Sequence, residues 1–229
     1  MSGIEFYYWP TPNCFKVSIL LEELEIPYQL IPVDITSGDQ FSDGFTQISP
    51  NQRIPAIVDV TDDGARIPIF ESGAILLYLA EKTGRFLPVD ASRRLVCMQW
   101  LFWQVGGLGP MAGQAHHFRL YAREEITYAI KRYSTETRRL YGVLDRHLAG
   151  RQYICDAVLS IADFAVLPWI FRHERQGIGL DEFPEIERWY ETLLSRTGVT
   201  NGLHLAAGLR NEDAFQNDST QQILFRNDT

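Results

Sequence analysis

The chain has 229 residues, 45% of them hydrophobic, which is enough to bury a full core in one large domain or two small ones and excludes disorder of the whole chain. Its 29 acidic and 21 basic residues give a formal net charge of −8, so the average field repels nucleic acid and anionic membrane surfaces. An anionic ligand therefore needs a local group of hydrogen-bond donors.

The first part of the chain predicts a small sheet flanked by helices. The first helix shows apolar residues at helical spacing until Pro27, with Lys16 among the residues of its polar face. In chain order we predict a strand over 4–9, this helix, a strand over 28–33, a loop over 37–44, a hairpin of strands 54–59 and 66–70, and a helix over 72–82.

The second part of the chain predicts an all-α domain. From residue 91 onward the only sustained period is helical, so we predict an α/β domain over 1–87, a linker, and a helical domain over 91–210. The glycines and proline of 106–110 are expected to break or bend the first of its helices. The polar stretch 211–229 is interpreted as a tail that is mobile unless a partner surface holds it. The predicted helices are 92–105, 123–148, 161–173 and 184–197.

The junction between the first strand and the first helix has the chemistry of an anion site. Thr11 suits the N-cap and Pro12 the first helical position, so backbone N–H groups and the positive helix end face whatever lies beyond the strand. A thiolate there would be stabilised, and the Thr11 hydroxyl and the Asn13 amide are candidate donors to it. The alternative is that Thr11 and Pro12 only cap a helix.

A proline opens the third predicted strand. A cis Ile54–Pro55 bond would turn the backbone of Ile54 outward to pair with an extended peptide. Because only about 5–6% of X-Pro bonds in folded proteins are cis, an ordinary trans proline at an edge strand stays open as the alternative.

The last strand-to-helix junction of the first domain carries Glu71 and Ser72. A hydroxyl and bare N–H groups at a helix start bind a carboxylate, and the Glu71 side chain can hold an ammonium beside it. Together they suit an α-amino-acid head group. The alternative is that Ser72 is a cap and Glu71 a solvated acid of the first turn.

These three junctions occur in the same order in the glutathione transferases, and the sequence resembles that superfamily from about residue 4 to residue 205. The resemblance implies the two-domain glutathione transferase fold, with an α/β thioredoxin-like N-terminal domain and an all-α C-terminal domain. More narrowly, the sequence resembles the bacterial nu class. The segments that carry this resemblance are Thr-Pro-Asn (11–13), Ile-Ser-Pro-Asn (48–51), Ile-Pro-Ala-Ile-Val-Asp (54–59), Phe-Glu-Ser-Gly-Ala-Ile-Leu-Leu-Tyr-Leu-Ala (70–80) and Gln-Trp-Leu-Phe-Trp-Gln-Val-Gly-Gly-Leu-Gly-Pro-Met (99–111).

The resemblance also implies roles for single residues. Thr11 and Asn13 would face the glutathione sulfur, Gln40 would contact the peptide, and Ile54 would pair with the cysteinyl backbone beside cis Pro55. Glu71 and Ser72 would hold the γ-glutamyl end. Arg132 would reach glutathione in the partner subunit of a homodimer, or else lie on a solvated helix face with Glu136 four residues on.

The function implied is glutathione-dependent disulfide-bond reduction, with glutathione as cosubstrate and a small-molecule disulfide or electrophile as its partner. Two alternatives stay open: conjugation of glutathione to an electrophile, and a non-catalytic glutathione-binding regulatory role. No metal is expected, because adjacent His116 and His117 point to different helical faces without a ligand at suitable spacing. Neither nucleic acid nor membrane is expected as a partner.

The cysteines indicate the compartment. Cys14, Cys97 and Cys155 form an odd, widely spaced set, and no export signal or membrane span is evident, so a cytoplasmic location is predicted. Cys14 departs from the nu-class pattern: it is either a thiol of lowered pKa at a helix start or a buried packing residue. Ser160 to Asp163 predicts a capping box with a stabilising role. The aromatic cluster of Trp100, Phe102 and Trp103 is expected to be core between helices, and alternatively Gln99 and Trp103 wall the cosubstrate pocket.

Overall fold

The structure, a computed structural model, describes residues 3–209 and 213–225. Its N-terminal part is a four-stranded sheet in the order β2-β1-β3-β4, with β1 parallel to β2 and the other pairs antiparallel. This is the α/β thioredoxin-like arrangement predicted from the sequence. Its elements in chain order are β1 (Gly3–Tyr8), α1 (Pro12–Leu24), β2 (Tyr28–Pro32), α2 (Asp43–Ile48), β3 (Ala56–Val60), β4 (Arg66–Phe70) and α3 (Ser72–Thr83).

The short helix α2 was not predicted, because six residues are too few for a periodic signal. The Ser42 hydroxyl accepts a hydrogen bond from the Phe45 backbone N–H at 3.4 Å and so caps the helix start. Phe45 then packs with Val33 and Ala56 in a small core beneath the sheet. One buried aromatic side chain and one cap therefore hold this segment.

The C-terminal part is helical, as predicted. None of the helices in the described ranges combines the length and apolar character that crossing a bilayer requires. The helices are α4 (Ala91–Trp103), α5 (Gly109–Leu120), α6 (Thr127–Leu148), α7 (Ile161–Ile170), α8 (Pro184–Leu194), α9 (Thr197–His204) and α10 (Asp218–Phe225).

The glycine-rich segment after α4 forms a π-helical turn, Gln104–Leu108, which joins α4 to α5 without an interruption of the right-handed backbone. A break was one of the two outcomes expected here, and it does not occur. The extra residue of a π turn widens the helix locally, and such turns are frequent at functional sites. The turn brings Gln104 to the interface between the two parts of the chain.

Helix α1 is buried on nearly all sides, because the sheet and α3 cover one side and the helical domain covers the other. Ten of its thirteen residues are buried. Helix α9 approaches so closely that a Cβ added at Gly202 would lie 2.5 Å from Ile19 Cα. Ser18 Oγ donates to Gly202 O at 2.7 Å, and Arg196 makes a bidentate ion pair with Glu23. These contacts fix α1 against the second domain.

The predicted capping box at the start of α7 is confirmed. Ser160 N donates to Asp163 Oδ2 at 3.0 Å, and the return bond from the helix backbone to Ser160 is also present. Asp163 Oδ1 accepts two further hydrogen bonds, from the Ile154 backbone N–H and from Trp189 Nε1, each at 2.9 Å. Burial nevertheless raises the pKa of the Asp163 carboxyl above its ordinary value.

Candidate functional site

A cavity of about 860 Å³ opens between the two domains. The three junctions predicted from the sequence, at residues 11–13, 54–55 and 71–72, meet on the side formed by the N-terminal domain. The π turn, α5 and α7 form the opposite side. The end of the described chain closes a third side. The residues that line it include Asn13, Lys16, Asn51, Arg53, Ile54, Pro55, Glu71, Ser72, Gln104, Gly109, His117, Tyr121, Trp169, Phe215, Leu224 and Phe225.

Five of the eight site residues predicted from the sequence line this cavity: Asn13, Ile54, Pro55, Glu71 and Ser72. The Ile54–Pro55 peptide bond is cis, so the trans alternative is wrong. Three separate junctions thus converge on one cavity, although they lie up to about sixty residues apart in the chain.

The other three predicted residues do not line the cavity. Thr11 occupies the N-cap of α1 with extended backbone, but its side chain makes no capping hydrogen bond, and its hydroxyl lies beside the Cys14 thiol. Gln40 is buried and donates from Nε2 to the Ile35 carbonyl at 3.3 Å. Arg132 is exposed on α6, away from the cavity of its own chain.

Asn13 is oriented by the second domain. Its Oδ1 accepts a hydrogen bond from Trp169 Nε1 at 3.3 Å. Because an indole nitrogen only donates, this contact assigns Oδ1 to Trp169 and leaves the Asn13 Nδ2 group to donate elsewhere. Asn13 lies in the first turn of α1, where the helix end is positive. An anion beside Asn13 is therefore stabilised both by a hydrogen bond from Nδ2 and by the positive end of the helix.

Glu71 marks the start of α3 with an unusual backbone. Its φ of 69° lies in the left-handed region, which costs a non-glycine residue on the order of 1–3 kcal/mol. Asn51 Nδ2 donates to Glu71 Oε1 at 3.3 Å, and the Glu71 carbonyl accepts the Ile75 N–H at 2.9 Å. The exposed carboxylate is thereby held at the mouth of the cavity, beside Ser72 and the positive end of α3.

Lys16 was predicted on the polar face of α1, and this prediction is wrong. The side chain is 1% exposed and lies at the floor of the cavity, because both sides of α1 are covered. Its Nζ donates to Ser72 Oγ at 3.2 Å and to Gln104 Oε1 at 2.5 Å. Burial lowers the pKa of Lys16 to about 7, and the negative charge of Glu71 opposes that shift.

Gln104 is another residue of the cavity that was not predicted from the sequence. It is fully buried at the start of the π turn, and a Cβ added at Gly109 would lie 2.7 Å from its Nε2. The glycine therefore makes room for this amide. The glycine-rich run that follows Gln104 is the signal that pointed to this segment, whereas helical periodicity gave no reason to place Lys16 inside.

The third side of the cavity is aromatic. Tyr121, after α5, stacks on Phe215 and Phe225 with ring centroids 5.4 and 6.1 Å apart, and His117 meets Phe225 edge to face at 4.5 Å. Gln221 Nε2 donates to the Tyr121 carbonyl at 3.0 Å. Helix α10, which the sequence did not predict within its polar tail, thus packs on α5 and supplies two apolar side chains, Leu224 and Phe225, to the cavity.

Cys14 lies near this cavity but does not have the pKa of a reactive thiol. It is completely buried, and burial raises the pKa of the Cys14 thiol to about 12, although the Thr11 hydroxyl and the Trp9 backbone act against this. The hypothesis of a lowered pKa at the helix start is therefore wrong, because desolvation outweighs the favourable helix end. Cys14 is the packing residue of the other alternative.

Two further sequence features lie elsewhere. Gln99 and Trp103 do not line the cavity, so the pocket-wall alternative is wrong. Trp103 meets Trp100 edge to face at 4.7 Å against the core, whereas Phe102 is exposed and is not a core residue. His116 contacts Arg175 Nε at 2.8 Å and stacks on Tyr121, whereas His117 faces Phe118 and Phe225. Within residues 3–209 and 213–225, no three His, Cys, Asp or Glu side chains group as metal ligands do.

Comparison with known proteins agrees with this architecture. Residues 1–81 match the family described as "Glutathione S-transferase, N-terminal domain", and residues 108–197 match "Glutathione S-transferase, C-terminal domain". The chain belongs to the glutathione S-transferase family.

Its relatives include a named oxidoreductase. The chain is 50% identical over 202 residues to "Disulfide-bond oxidoreductase YfcG" of Escherichia coli (strain K12), covering 87% of this chain and 94% of the relative. It is similar to a Pseudomonas putida glutathione transferase solved with one glutathione disulfide bound per subunit (TM-score 0.85, 43% identity, 90% and 92% of the two chains). A Pseudomonas fluorescens family member solved with two glutathione bound is also similar (TM-score 0.83, 41% identity, 88% and 92%).

Proposed function

We propose that the protein is a glutathione-dependent disulfide-bond reductase that binds glutathione in the interdomain cavity and stabilises its thiolate. The observation that carries the proposal is the convergence of Asn13, the cis Ile54–Pro55 opening and the Glu71–Ser72 junction on one cavity. The named activity of the Escherichia coli relative and the ligands of the two Pseudomonas structures support it.

Each part of the cavity matches a part of glutathione. The cysteinyl backbone of glutathione pairs with Ile54, and its γ-glutamyl head group lies at Glu71 and Ser72. There the ammonium of the ligand meets the Glu71 carboxylate, and the α-carboxylate of the ligand meets Ser72 at the start of α3. The sulfur then lies beside Asn13 Nδ2 at the start of α1. We assign Thr11 to the same end and Gln40 to the loop that supports it, as positioning residues.

The thiolate in this proposal comes from glutathione and not from the protein. Cys14, Cys97 and Cys155 are all buried free thiols, and the pKa of Cys14 is raised to about 12. Lowering the pKa of a free thiol from ~8.5 by about two units takes about 2.7 kcal/mol, which a charge-assisted hydrogen bond and a helix end can supply together.

The reaction then has two displacements. The bound glutathione thiolate attacks one sulfur of the disulfide, a mixed disulfide forms, and the other sulfur leaves as a thiolate that takes up a proton. A second glutathione thiolate attacks the mixed disulfide and yields glutathione disulfide and the second thiol. The protein contributes alignment and charge stabilisation to both steps.

Conjugation of glutathione to an electrophilic carbon is the second candidate, because the aromatic side of Tyr121, Phe215 and Phe225 also suits an apolar electrophile. The two activities are separated by rates measured with a small dialkyl disulfide and with an aryl halide at equal glutathione concentration. We expect the disulfide to be the better substrate by at least tenfold. Faster conjugation would overturn the assignment, and glutathione binding without either activity would leave the regulatory alternative.

Asn13→Ala tests the thiolate site directly. Loss of a hydrogen bond to a charged group, about 1.5–3 kcal/mol, should lower kcat by roughly tenfold to a hundredfold with little change in glutathione affinity. Cys97→Ala, which changes a buried thiol outside the cavity, is the matched control. Wild-type kcat in Asn13→Ala would remove Asn13 from the mechanism.

We also propose that the protein is a cytoplasmic homodimer of the nu class. Leu95 and Phe102 on α4 are 60% and 64% exposed, and Tyr128 on α6 is 78% exposed, which supports a covered interface at these helices. Arg132 follows Tyr128 by four residues and so shares its face of α6. We expect twice the chain mass of 26.3 kDa in solution and weaker glutathione binding in Arg132→Ala but not in Arg139→Ala.

A further inference from the structure

The floor of the cavity holds a buried positive charge that the proposed function does not yet use. Lys16 Nζ makes hydrogen bonds to Ser72 Oγ and Gln104 Oε1, both neutral acceptors. In the part of the chain that the structure describes, this ammonium forms no ion pair with a carboxylate, and Glu71 acts on it only through the longer-range field. A buried ammonium has three N–H groups and a strong need for a counter-charge.

A second observation at the same place also points to a ligand. Gln104 is fully buried, and its Nε2 has no hydrogen-bond partner. Because an ammonium only donates, the contact with Lys16 assigns Oε1 and leaves Nε2 as the unpaired donor. Buried amide groups in folded proteins are nearly always paired, and Gln104 lines the cavity. An acceptor atom of a molecule bound in the cavity would satisfy this donor.

Ser72 completes the set of donors. Its Oγ accepts from Lys16, so its own O–H remains available to donate into the cavity. Lys16 Nζ, Gln104 Nε2 and the Ser72 hydroxyl are thus three donors, one of them charged, around the start of α3. Two acceptor oxygens with one negative charge, a carboxylate, satisfy this arrangement better than a neutral carbonyl does.

We propose that Lys16 and Gln104 complete the binding site for the α-carboxylate of the γ-glutamyl residue of glutathione. Lys16 supplies the counter-charge behind Ser72, and Gln104 positions Lys16 and donates to the same carboxylate. This inference rests on the proposed function, which places the γ-glutamyl end at Glu71 and Ser72.

Binding of the carboxylate has a measurable consequence for Lys16. The groups that act on its charge are Glu71 at the β4–α3 junction and Cys14 on α1, whereas the π turn presents the neutral Gln104. Because burial lowers the pKa of Lys16 to about 7, a part of the free sites lacks the proton near neutral pH. A bound carboxylate favours the charged form, so binding near neutral pH takes up a fraction of a proton per site.

The test is titration calorimetry of the wild type and Lys16→Met with S-methylglutathione at pH 7, in buffers of different ionisation enthalpy. The methylated sulfur removes the proton that the thiol would release. We expect the wild type to take up more protons per site than Lys16→Met, and the variant to bind at least tenfold more weakly. Equal affinity of the two proteins for S-methylglutathione would overturn the proposal.

Two further measurements separate a binding role from a structural one. S-methylglutathione with its γ-glutamyl α-carboxylate converted to an amide should bind wild type and Lys16→Met with equal affinity, and an unchanged tenfold difference would contradict the assignment. Lys16→Arg, whose charge is permanent, should keep affinity within about threefold and lose the proton uptake. Should Lys16→Met not fold, Lys16→Arg and the amidated ligand on the wild type decide the matter.

Failure of the two proposals can be told apart. A wild type that binds no S-methylglutathione at millimolar concentration overturns both the proposed function and this inference. A wild type that binds it without the extra proton uptake, and without loss of affinity for the amidated ligand, overturns only the role of Lys16 and Gln104.

Discussion

Trp169 Nε1 of α7 donates a hydrogen bond to Asn13 Oδ1 at 3.3 Å, so the helical domain orients the residue that we place beside the glutathione sulfur. The contact joins residues 156 positions apart in the chain. It couples the orientation of the Asn13 side chain in the first domain to the packing of the second.

Trp169→Phe is expected to reduce kcat for disulfide reduction by roughly threefold to tenfold, because a neutral hydrogen bond contributes about 0.5–1.5 kcal/mol and its loss lets the Asn13 amide rotate. Glutathione affinity should stay within about twofold. Steady-state rates and calorimetry check both values. In Asn13→Ala the same tryptophan change should have no further effect on kcat, and full additivity of the two losses would contradict the orienting role.

Cys14→Ala is expected to keep kcat within about twofold of the wild type, because a buried thiol of raised pKa supplies no thiolate at neutral pH. The measurement is the rate of reduction of a small disulfide, together with intact-protein mass spectrometry of the wild type after exposure to glutathione disulfide. A glutathione adduct on Cys14, combined with loss of activity in the variant, would show that the thiol takes part.

Phe225→Ala is expected to lower kcat/KM for an aromatic disulfide by roughly threefold to tenfold, since stacked aromatic pairs contribute about 0.5–1.5 kcal/mol beyond their buried area. Phe225 contacts both Tyr121 and His117 at the aromatic side of the cavity. For a small dialkyl disulfide the loss should be under twofold, and Val89→Ala, at a position that is 95% exposed, serves as control. Equal losses with both disulfides would argue against a role in cosubstrate selection.

Asp163→Ala is expected to lower the free energy of unfolding by about 3 kcal/mol, because it leaves buried N–H groups without an acceptor. The donors affected are the Ser160 and Ile154 backbone groups and Trp189 Nε1. Denaturant unfolding measures the change, and activity per folded molecule should be unaffected. A loss under 1 kcal/mol would mean that water replaces the carboxylate.

The stability of the wild type should depend on pH through Lys16. The ordinary pKa of the amine is 10.5 in the unfolded chain, and burial lowers the pKa of folded Lys16 to about 7, so between these values the unfolded state binds more protons. The free energy of unfolding therefore rises with pH across this window, by up to about 1.4 kcal/mol per pH unit. Relative to Lys16→Met, the wild type should gain stability from pH 7 to 10 and show a constant difference below pH 6. A constant difference across the whole range would contradict the lowered pKa.

The fold was largely predictable from the sequence because its signals are local. Strand β4 has the bounds predicted for it, and the capping box at Ser160 and Asp163 is as expected, since each depends on neighbouring residues. Helices α2, α5, α9 and α10 were missed. Three of them, α2, α9 and α10, have eight residues or fewer and depend on tertiary packing, whereas α5 begins in the glycine-rich segment where a break or bend was expected.

The candidate site was predictable where a junction motif carries the residue, as at Asn13 and Glu71. Lys16 was misplaced because helical periodicity assigns a residue to a face but does not show that both faces of α1 are covered. The pKa of Cys14 was uncertain for the same reason, because burial and the helix end act in opposite directions and only the degree of burial decides between them.

The close approach of Gly202 to the Ile19 backbone means that α1 is part of the packed core of both domains. A fragment cut at the linker would present that helix to water with its apolar flank bare, and the remaining helices would lose the surface on which α9 rests. The cavity between the two domains is lined by residues of both, so neither half forms it alone.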